Sequence, residues 1–172
     1  GFGVTRTMST AQKLYEAGLI TYMRTDSVTI SNEAKSSIVQ KIESKYGEDY
    51  VNLRDYKNKN KSAQEAHEAV RPTDINIEEI TSDYDQQRLY HLIWKRTISS
   101  QMSDAQIERT VVNINSDSYN EFFVARGEVI KFDGFLRVYN EGTDDEIEEE
   151  KGVLPALSIN ENLNLLNINS RE

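Results

Sequence analysis

Apolar and polar residues follow a helical period through the first two-thirds of the chain. Ser9 is expected to cap a helix that runs through Ala17, with Gln12 completing a capping box. Gly18 follows at the position where many helices end in a left-handed residue. Residues 20–23 have the pattern of a short extended segment. The sequence therefore predicts a helix followed directly by an extended stretch.

Two further helices are predicted by the same period. Ser31 is expected to cap a second helix that ends at Gly47 and carries Ile38 and Ile42 on its apolar side. The third, over about residues 83–101, has the strongest signal because an apolar stripe runs along it. The stripe consists of Leu89, Ile93, Trp94 and Ile98. We expect these apolar side chains of the two helices to form one core.

From about residue 107 the apolar residues alternate, which is typical of strands. Residues 107–130 are interrupted by a polar stretch and predict a β-hairpin. Residues 131–139 are expected to continue the sheet after a turn at Asp133-Gly134. Helices followed by strands indicate an α+β fold with more than one subdomain. The predicted parts are a helical lobe over residues 1–107, a strand region over 108–139 and a last part over 140–172. The last part consists of an acidic loop and the start of a following segment, with one more strand signal over 156–172.

Composition narrows the class of protein. A hydrophobic content of 37% over 172 residues suits one ordinary domain or two small ones. No apolar run approaches the roughly 20 residues of a membrane span, so no membrane partner is expected. The absence of cysteine excludes disulfides and thiolate metal sites and fits a reducing, cytoplasmic compartment.

The net charge of −9 argues, taken alone, against binding to nucleic acid. The charge is unevenly distributed, however. Residues 1–109 carry 15 basic and 16 acidic side chains, whereas residues 110–172 carry 5 and 13. The first part of the chain is therefore nearly neutral, and its composition permits a surface that faces DNA.

The extended segment after the first predicted helix carries Tyr22 and Arg24. Residues two apart in an extended chain project to the same side, so the two side chains are expected to share a face. A tyrosine that attacks a phosphodiester needs cationic donors on the phosphate oxygens, and the planar guanidinium of Arg24 suits that task. The simpler interpretation is a half-buried structural tyrosine. The two-residue pattern alone leaves both interpretations open, and the structural one is the more common.

A second candidate group lies in QEAHEAVRPT, residues 64–73. His67 is expected on a short helix over residues 63–70 that ends before Pro72, with Arg71 one turn further on and on the same face. An imidazole there could donate to a phosphate and carry a proton. The simpler interpretation is a helix end whose basic side chains offset the helix dipole.

Other conspicuous features are interpreted as structural or solvated. The acidic run at residues 144–150 is consecutive and lacks the turn pattern of a cation-binding loop, so no metal site is expected there or elsewhere. The basic run at residues 57–61 is interpreted as part of a solvated loop. His91 is assigned to the surface or the structure of the third helix, and Trp94 to the core.

Taken together, the two segments resemble a known family. LYEAGLITYMRTDS (residues 14–27), followed some forty residues later by SAQEAHEAVRPTD (residues 62–74), is similar to the active-site region of type IA DNA topoisomerases. Met23, and the lack of a second histidine after His67, resemble the bacterial topoisomerase I branch more than topoisomerase III or reverse gyrase. Residues 84–102 resemble the helix that follows in this family. The strands after it resemble part of the family's antiparallel β arch.

The resemblance implies an ATP-independent isomerase that relaxes negatively supercoiled DNA by single-strand passage. Tyr22 would attack one strand and leave a 5′-phosphotyrosine link and a free 3′-hydroxyl. Arg24 would hold the scissile phosphate, and His67 would contact a DNA phosphate and respond to pH. The remaining implied residues are Arg71, for phosphate binding or packing, and Thr25, Asp26 and Ser27, which would shape the loop, with Asp26 orienting Arg24.

The resemblance also implies that other parts of the enzyme are needed. Family members use an acidic domain that binds Mg²⁺, and we expect that domain upstream of this chain, which opens on Gly-Phe-Gly without a methionine. Mg²⁺ would act in the full-length enzyme, this chain would bind none, and alone it would be inactive. The expected partners are DNA, mainly single-stranded, and the N-terminal metal-binding domain, in a bacterial, nucleoid-associated location. The alternative class is a non-enzymatic helical module that binds DNA or protein.

Overall fold

The computed structural model of the protein describes residues 1–57, 67–116, 119–139, 154–164 and 166–167. Three α-helices precede a two-stranded antiparallel sheet, which confirms the predicted α+β class. The elements are α1 (Val4–Glu16), α2 (Asn32–Tyr46), α3 (Tyr84–Ser100), β1 (Gln106–Ser116) and β2 (Tyr119–Phe132), with 3₁₀ helices at Glu48–Tyr50 and Gly134–Arg137. The chain divides into two compact units, Gly1–Gln106 with Phe132–Asp144, and Ile107–Lys131 with Asp145–Glu172.

α1 begins earlier than the sequence predicts. Its N-cap is Gly3 and no side chain caps it, so the prediction of a Ser9 cap is wrong. Ser9 lies inside the helix, where its hydroxyl donates to the carbonyl three residues back at 3.0 Å. Gln12 donates to Glu16 at 2.6 Å instead of closing a capping box. The helix extends back past Ser9 because none of the residues just before it breaks a helix. Its predicted end is confirmed, since Gly18 has a left-handed φ of 71°.

α2 begins and ends where the sequence predicts. The Ser31 hydroxyl accepts a hydrogen bond from the Ala34 N–H at 3.4 Å, which satisfies one of the free N–H groups at the start of the helix. Gly47 follows the last turn with φ of 104°, a conformation that favours glycine. Ile38 and Ile42 are buried, as expected of the apolar side.

α3 carries the predicted apolar stripe into the core of the first unit. Asp83 caps the helix by accepting from the Gln86 N–H at 3.0 Å. The buried indole N–H of Trp94 donates to the Ile75 carbonyl at 2.8 Å, so its polar atom is satisfied. The predicted packing of the stripe with the isoleucines of α2 is confirmed by one continuous cluster. Its buried members are Ala11, Leu14, Ile20, Met23, Ile30, Ile38, Ile42, Ile75, Leu89, Tyr90, Trp94, Ile98 and Met102.

The second unit contains the hairpin formed by β1 and β2. Two cross-strand ion pairs fit its register, Arg109 with Glu128 at 2.9 Å and Lys131 with Glu108 at 3.1 Å. The pair of Lys131 with Glu108 is exposed on both sides and contributes little to stability, whereas Glu128 of the other pair is only 18% exposed. Several apolar side chains are more than half exposed, because a two-stranded sheet cannot cover its own faces. They are Val111, Phe122, Phe123 and Ile130.

The chain after β2 does not continue the sheet, contrary to the prediction for residues 131–139. Residues Gly134–Arg137 form a 3₁₀ helix, and Phe135 and Val138 pack against the core of the first unit. Gly134 has φ of 50°, and a Cβ atom there would lie 2.5 Å from the Ser103 carbonyl oxygen. Only glycine fits this close approach. The sequence pattern misled because it contains both spacings. Leu136 and Val138, two residues apart, suit a strand, whereas Phe135 and Val138, three apart, suit a helical turn.

Some predictions fall on residues outside the described ranges. These are most of the basic run (58–61), the first part of the short helix (63–66) and the acidic run (144–150). The last strand was predicted over residues 156–172, and its described residues 156–164 form no strand. A strand forms only where it can pair with a neighbouring strand, and these residues pair with none among the described ones. No helix in the described part of the chain is long and apolar enough to cross a membrane.

Tyr90 makes the stability of the first unit sensitive to alkaline pH. Burial, together with the negative charge of Asp74, raises the pKa of Tyr90 to about 12. A tyrosine in an unfolded chain has a pKa of about 10. Between these values the unfolded chain has released a proton that the folded chain retains, so stability falls as the pH rises. The full effect is on the order of 2–3 kcal/mol.

We therefore expect Tyr90→Phe to flatten the pH dependence of urea unfolding between about pH 10 and pH 12. At neutral pH the variant should lose about 1 kcal/mol, because the Tyr90 hydroxyl donates to the Ile77 carbonyl at 2.7 Å. Tyr84→Phe, at a tyrosine of the same helix that is 69% exposed, is the control and should keep the wild-type slope. An unchanged alkaline slope in Tyr90→Phe would contradict this account.

Candidate active site

The two segments singled out in the sequence lie side by side. Ile20 and Pro72 form an antiparallel bridge. Backbone hydrogen bonds lie on either side of it, from the Thr21 N–H to the Arg71 carbonyl at 2.9 Å and from the Thr73 N–H to the Leu19 carbonyl at 3.0 Å. Residues far apart in the chain are thus held in direct contact at this point.

The side chain of Thr21 strengthens the same contact. Its hydroxyl donates to the Ala69 carbonyl at 2.7 Å and accepts from the Arg71 N–H at 2.9 Å. Both backbone groups belong to the second segment, so one threonine satisfies two of its polar groups. The residue immediately before Tyr22 is therefore fixed against the segment that carries His67. Sequence reasoning did not single out Thr21, although its position beside the candidate nucleophile was a signal.

The Tyr22 ring is half-buried and contacts two other aromatic rings. The Tyr15 ring, from the last turn of α1, meets it edge-on with centroids 5.2 Å apart. The His67 ring lies 5.6 Å away, tilted by 41°. The structure thus brings together the tyrosine of the first segment and the histidine of the second. The contact of Tyr15 with Tyr22 was not predicted, although Tyr15 lies within the first segment, in the last turn of the helix that precedes Tyr22.

Buried residues on both sides of Tyr22 fix the backbone at this point. Ile20 and Met23 belong to the core, with exposed fractions of 1% and 9%. Arg24 follows directly and is exposed. The buried side chains of Ile20 and Met23 hold the backbone against the core, and the exposed side chain of Arg24 extends from this fixed backbone.

The loop after Arg24 is shaped by its own hydroxyl groups. The Thr25 hydroxyl accepts from the Ser27 N–H at 3.0 Å, and the Ser27 hydroxyl accepts from the Thr29 N–H at 3.2 Å. This agrees with the expectation that these residues shape the loop. The expected role of Asp26, which is to orient Arg24 through a carboxylate–guanidinium pair, stays a prediction. Arg24 itself has no hydrogen-bond or ion-pair partner within the described ranges.

The prediction of a helix over residues 63–70 is wrong for residues 67–70, which are irregular. The reason lies in where the backbone N–H groups bond. The Ala69 N–H donates to the Thr29 carbonyl at 2.8 Å, and the Arg71 N–H donates to the Thr21 side chain. These donors serve the neighbouring segment instead of a helix. His67 is exposed at this turn, next to Tyr22.

Arg71 points into the protein rather than to solvent. Its side chain is 15% exposed, and its Nη2 donates to Glu68 at 2.5 Å while its Nη1 donates to the Pro72 carbonyl at 2.9 Å. Its Nε is buried and has no hydrogen-bond partner among the described residues. Of the two roles expected for Arg71, this geometry favours packing over phosphate binding.

Glu68 joins three parts of the site and was not predicted. One oxygen accepts from the Ser31 N–H at 2.8 Å and the other accepts from Arg71. Burial opposes ionisation, but the hydrogen bonds from Ser31 and Arg71 outweigh it and lower the pKa of Glu68 below its ordinary value. The carboxylate is therefore ionised at neutral pH. The available signal was a carboxylate beside His67 and three residues before Arg71, a spacing that suits an ion pair.

The described residues do not supply a metal centre. No group of three or more histidine, aspartate or glutamate side chains within the described ranges lies close enough together to hold an ion. The carboxylate nearest to His67 in the sequence, Glu68, is already bonded to Ser31 and Arg71.

Comparison with known proteins decides the family. The family profile described as DNA topoisomerase matches residues 1–172. The chain belongs to the DNA topoisomerase family. It is 46% identical over 179 residues to DNA topoisomerase 1 of Rickettsia conorii, which covers 95% of this chain and 23% of that protein. It is also 46% identical over 169 residues to DNA topoisomerase 1 of Streptomyces coelicolor. That match covers 92% of this chain and 18% of the Streptomyces protein.

A solved structure agrees with this family assignment. Full-length topoisomerase I from Thermotoga maritima is similar with a TM-score of 0.69 and 34% identity, over 88% of this chain and 26% of that one. The resemblance to bacterial type IA topoisomerases is thus confirmed. The chain spans between 18% and 26% of the length of these topoisomerase relatives.

The hydroxyl of Thr21 should contribute measurably to stability. Thr21→Val keeps the shape of the side chain but leaves the Ala69 carbonyl and the Arg71 N–H without their partner. We expect the free energy of unfolding in urea to fall by about 1–3 kcal/mol. Thr5→Val, at an exposed position of α1, is the control and should change it by about 0.5 kcal/mol or less. Equal effects of the two substitutions would show that the cross-segment hydrogen bonds do not matter.

Proposed function

We propose that the chain is the strand-cleaving segment of a type IA topoisomerase, with Tyr22 as the nucleophile. The observation that carries this proposal is the contact between Tyr22 and His67, whose rings lie 5.6 Å apart although they come from separate segments. Exposed Arg24 lies two residues beyond Tyr22. The phenol and the imidazole are therefore in contact, and a guanidinium follows two residues along the chain. Attack on a phosphodiester can use groups of these three kinds.

In the proposed reaction the phenolic oxygen of Tyr22 forms a bond to the phosphorus of one DNA strand. The bond from that phosphorus to the 3′-oxygen breaks as the new bond forms. The phenol loses its proton and the departing 3′-oxygen gains one, so atoms and charge balance. The products are a 5′-phosphotyrosine link and a free 3′-hydroxyl, and the reverse reaction reseals the strand. One phosphodiester bond replaces another, which is why no ATP would be consumed.

Arg24 is proposed to bind the scissile phosphate. Its guanidinium is exposed and has no protein partner within the described ranges, so its donors are available to a ligand. His67 is proposed to donate to a neighbouring DNA phosphate. Arg71 is proposed to position this segment rather than to touch DNA, because Glu68 and the Pro72 carbonyl occupy its two terminal nitrogens.

The partner is proposed to be single-stranded DNA. A strand that is not paired can bring one phosphate to Tyr22 without opening a duplex at the site. Binding should weaken steeply with salt, because contacts to phosphates release counterions. We propose that Mg²⁺ acts in the full-length enzyme and is held by residues outside this chain, as the resemblance to type IA topoisomerases implies.

The nucleophile can be tested with the full-length enzyme that contains this chain. Incubation with Mg²⁺ and labelled single-stranded DNA, followed by denaturation, should leave DNA covalently attached to the protein. Tyr22→Phe should abolish the adduct, because the variant lacks the attacking oxygen. Tyr84→Phe, at a tyrosine that is 69% exposed, should keep it. A non-enzymatic binding module would give no adduct at all, and an adduct that survives Tyr22→Phe would refute the assignment of the nucleophile.

Arg24 should matter through charge and not through packing. Arg24→Ala in the same enzyme should slow cleavage by roughly 10²–10³, the usual cost of one preorganised donor to an oxyanion, with almost unchanged melting. Arg24→Lys keeps the charge but loses the planar fork, so it should retain more activity. Arg88→Ala, at an exposed arginine of α3, is the control and should cleave normally. If Arg24→Ala lowers the melting temperature while cleavage per folded molecule is unchanged, Arg24 is structural.

A further inference from the structure

The loop that carries Tyr22 and Arg24 is held on both sides by the same short segment. Before the loop, Thr21 bonds to the backbone of residues 69 and 71. After the loop, the Ala69 N–H donates to the Thr29 carbonyl at 2.8 Å. The second attachment is completed by Glu68, which accepts from the Ser31 N–H at 2.8 Å. The candidate nucleophile and phosphate ligand therefore project from a loop whose two ends are tied to the residues that follow His67.

After the loop, Glu68 bonds through its side chain to the Ser31 N–H. Among the described contacts, no other side chain of residues 67–71 bonds to the chain directly after the loop. One of its oxygens holds the start of α2 through Ser31, and the other holds the guanidinium of Arg71 at 2.5 Å. Arg71 in turn donates to the Pro72 carbonyl at 2.9 Å, next to the bridge with Ile20. Charge-assisted hydrogen bonds thus run from Ser31 through Glu68 and Arg71 to the Pro72 carbonyl. The backbone bridge between Pro72 and Ile20 then completes the connection between the two ends of the loop.

We infer that Glu68 is a positioning residue for strand cleavage, which sets the placement of Arg24 and His67 around Tyr22. This inference rests on the proposed function of the chain. Glu68 is directly adjacent to His67 in the chain, so a shift of its carboxylate moves the imidazole that contacts Tyr22. The same carboxylate fixes Ser31, and so limits how far the loop containing Arg24 can move.

Glu68 does not act on DNA itself. Both of its oxygens accept hydrogen bonds from the protein, and it carries a negative charge that would repel a phosphate. Its contribution is therefore geometric. Misplacement of reacting groups by about 1 Å can cost about 10²-fold in rate even when the altered residue does not touch the substrate.

The test is Glu68→Gln in the full-length enzyme with Mg²⁺ and labelled single-stranded DNA. Glutamine keeps the size of the side chain, but it cannot offer carboxylate oxygens to Ser31 and Arg71 at once. The inference predicts a 10- to 100-fold slower single-turnover cleavage at saturating DNA. The dissociation constant for DNA should change less than about threefold, because no phosphate contact is lost. A change confined to DNA affinity would overturn the inference.

Glu78→Gln is the matched control. Glu78 is a carboxylate of the same unit with a similar exposed fraction, 31% against 30%, and it pairs with Lys41 at 2.8 Å and with Lys45. Burial opposes the ionisation of Glu78, but hydrogen bonds from Lys41 and Lys45 outweigh it and lower the pKa of Glu78. Glu68 shows the same balance with other partners, Ser31 and Arg71. Glu78 therefore reports what loss of a paired carboxylate does to stability. Glu78→Gln should cleave at the wild-type rate with a similar change in melting temperature.

Arg71→Gln and the double variant identify the route by which Glu68 acts. If Glu68 works through Arg71, the effects on the cleavage rate should be non-additive, and Glu68→Gln should cost much less in an Arg71→Gln background. If Glu68→Gln only lowers the melting temperature and leaves the rate per folded molecule unchanged, Glu68 is structural and the inference is overturned. A wild-type enzyme that forms no adduct dependent on Tyr22 would instead overturn the proposed function itself, and the inference with it.

Discussion

The antiparallel pairing of residues 19–21 with residues 71–73 is the contact on which the candidate site depends. Proline can occupy its centre because the hydrogen bonds run from the neighbouring residues and not from Pro72, which has no N–H to donate. Ile20, opposite Pro72, is buried in the core. The pairing is thus anchored by apolar packing on one strand and by a stiff backbone on the other, and Tyr22 and His67 meet beside it.

Much of the fold could be predicted because its signals are local. Ser31, Asp83 and the glycines after α1 and α2 act within a few residues of their positions, and the stripe along α3 repeats at the period of a helix. The start of α1 was missed because Ser9 has the chemistry of a cap but lies in the middle of a helix that begins at a glycine. The short helix after Phe132 was missed because Val138 is two residues from Leu136, which suits a strand, and three from Phe135, which suits a helical turn.

The sequence indicated which residues belong to the candidate site, but not the backbone conformation that brings them together. Tyr22 and His67 were singled out from the sequence, and they do meet. The conformation of residues 67–71 could not be foreseen, because two of their N–H groups bond to residues far away in the chain. The Ala69 N–H bonds to Thr29, 40 residues away, and the Arg71 N–H bonds to Thr21, 50 residues away. Local propensity favours a helix there, and the hydrogen bonds across the two segments override it. Glu68 was overlooked for the same reason, since its partner Ser31 is distant in sequence.

The two arginines of the site show how burial assigns different tasks to the same side chain. Arg24 follows a buried residue in an exposed loop, and no protein group within the described ranges competes for its donors. Arg71 is mostly buried, and leaving it unpaired there would cost several kcal/mol, so Glu68 must accompany it. The charge of a paired arginine is largely offset by its partner, so it attracts an anionic ligand weakly. The charge of an unpaired, exposed guanidinium is not offset in this way. The net charge of −9 is therefore a poor guide to this surface, because a ligand bound at the proposed site would respond to the charge near Tyr22 more than to the total.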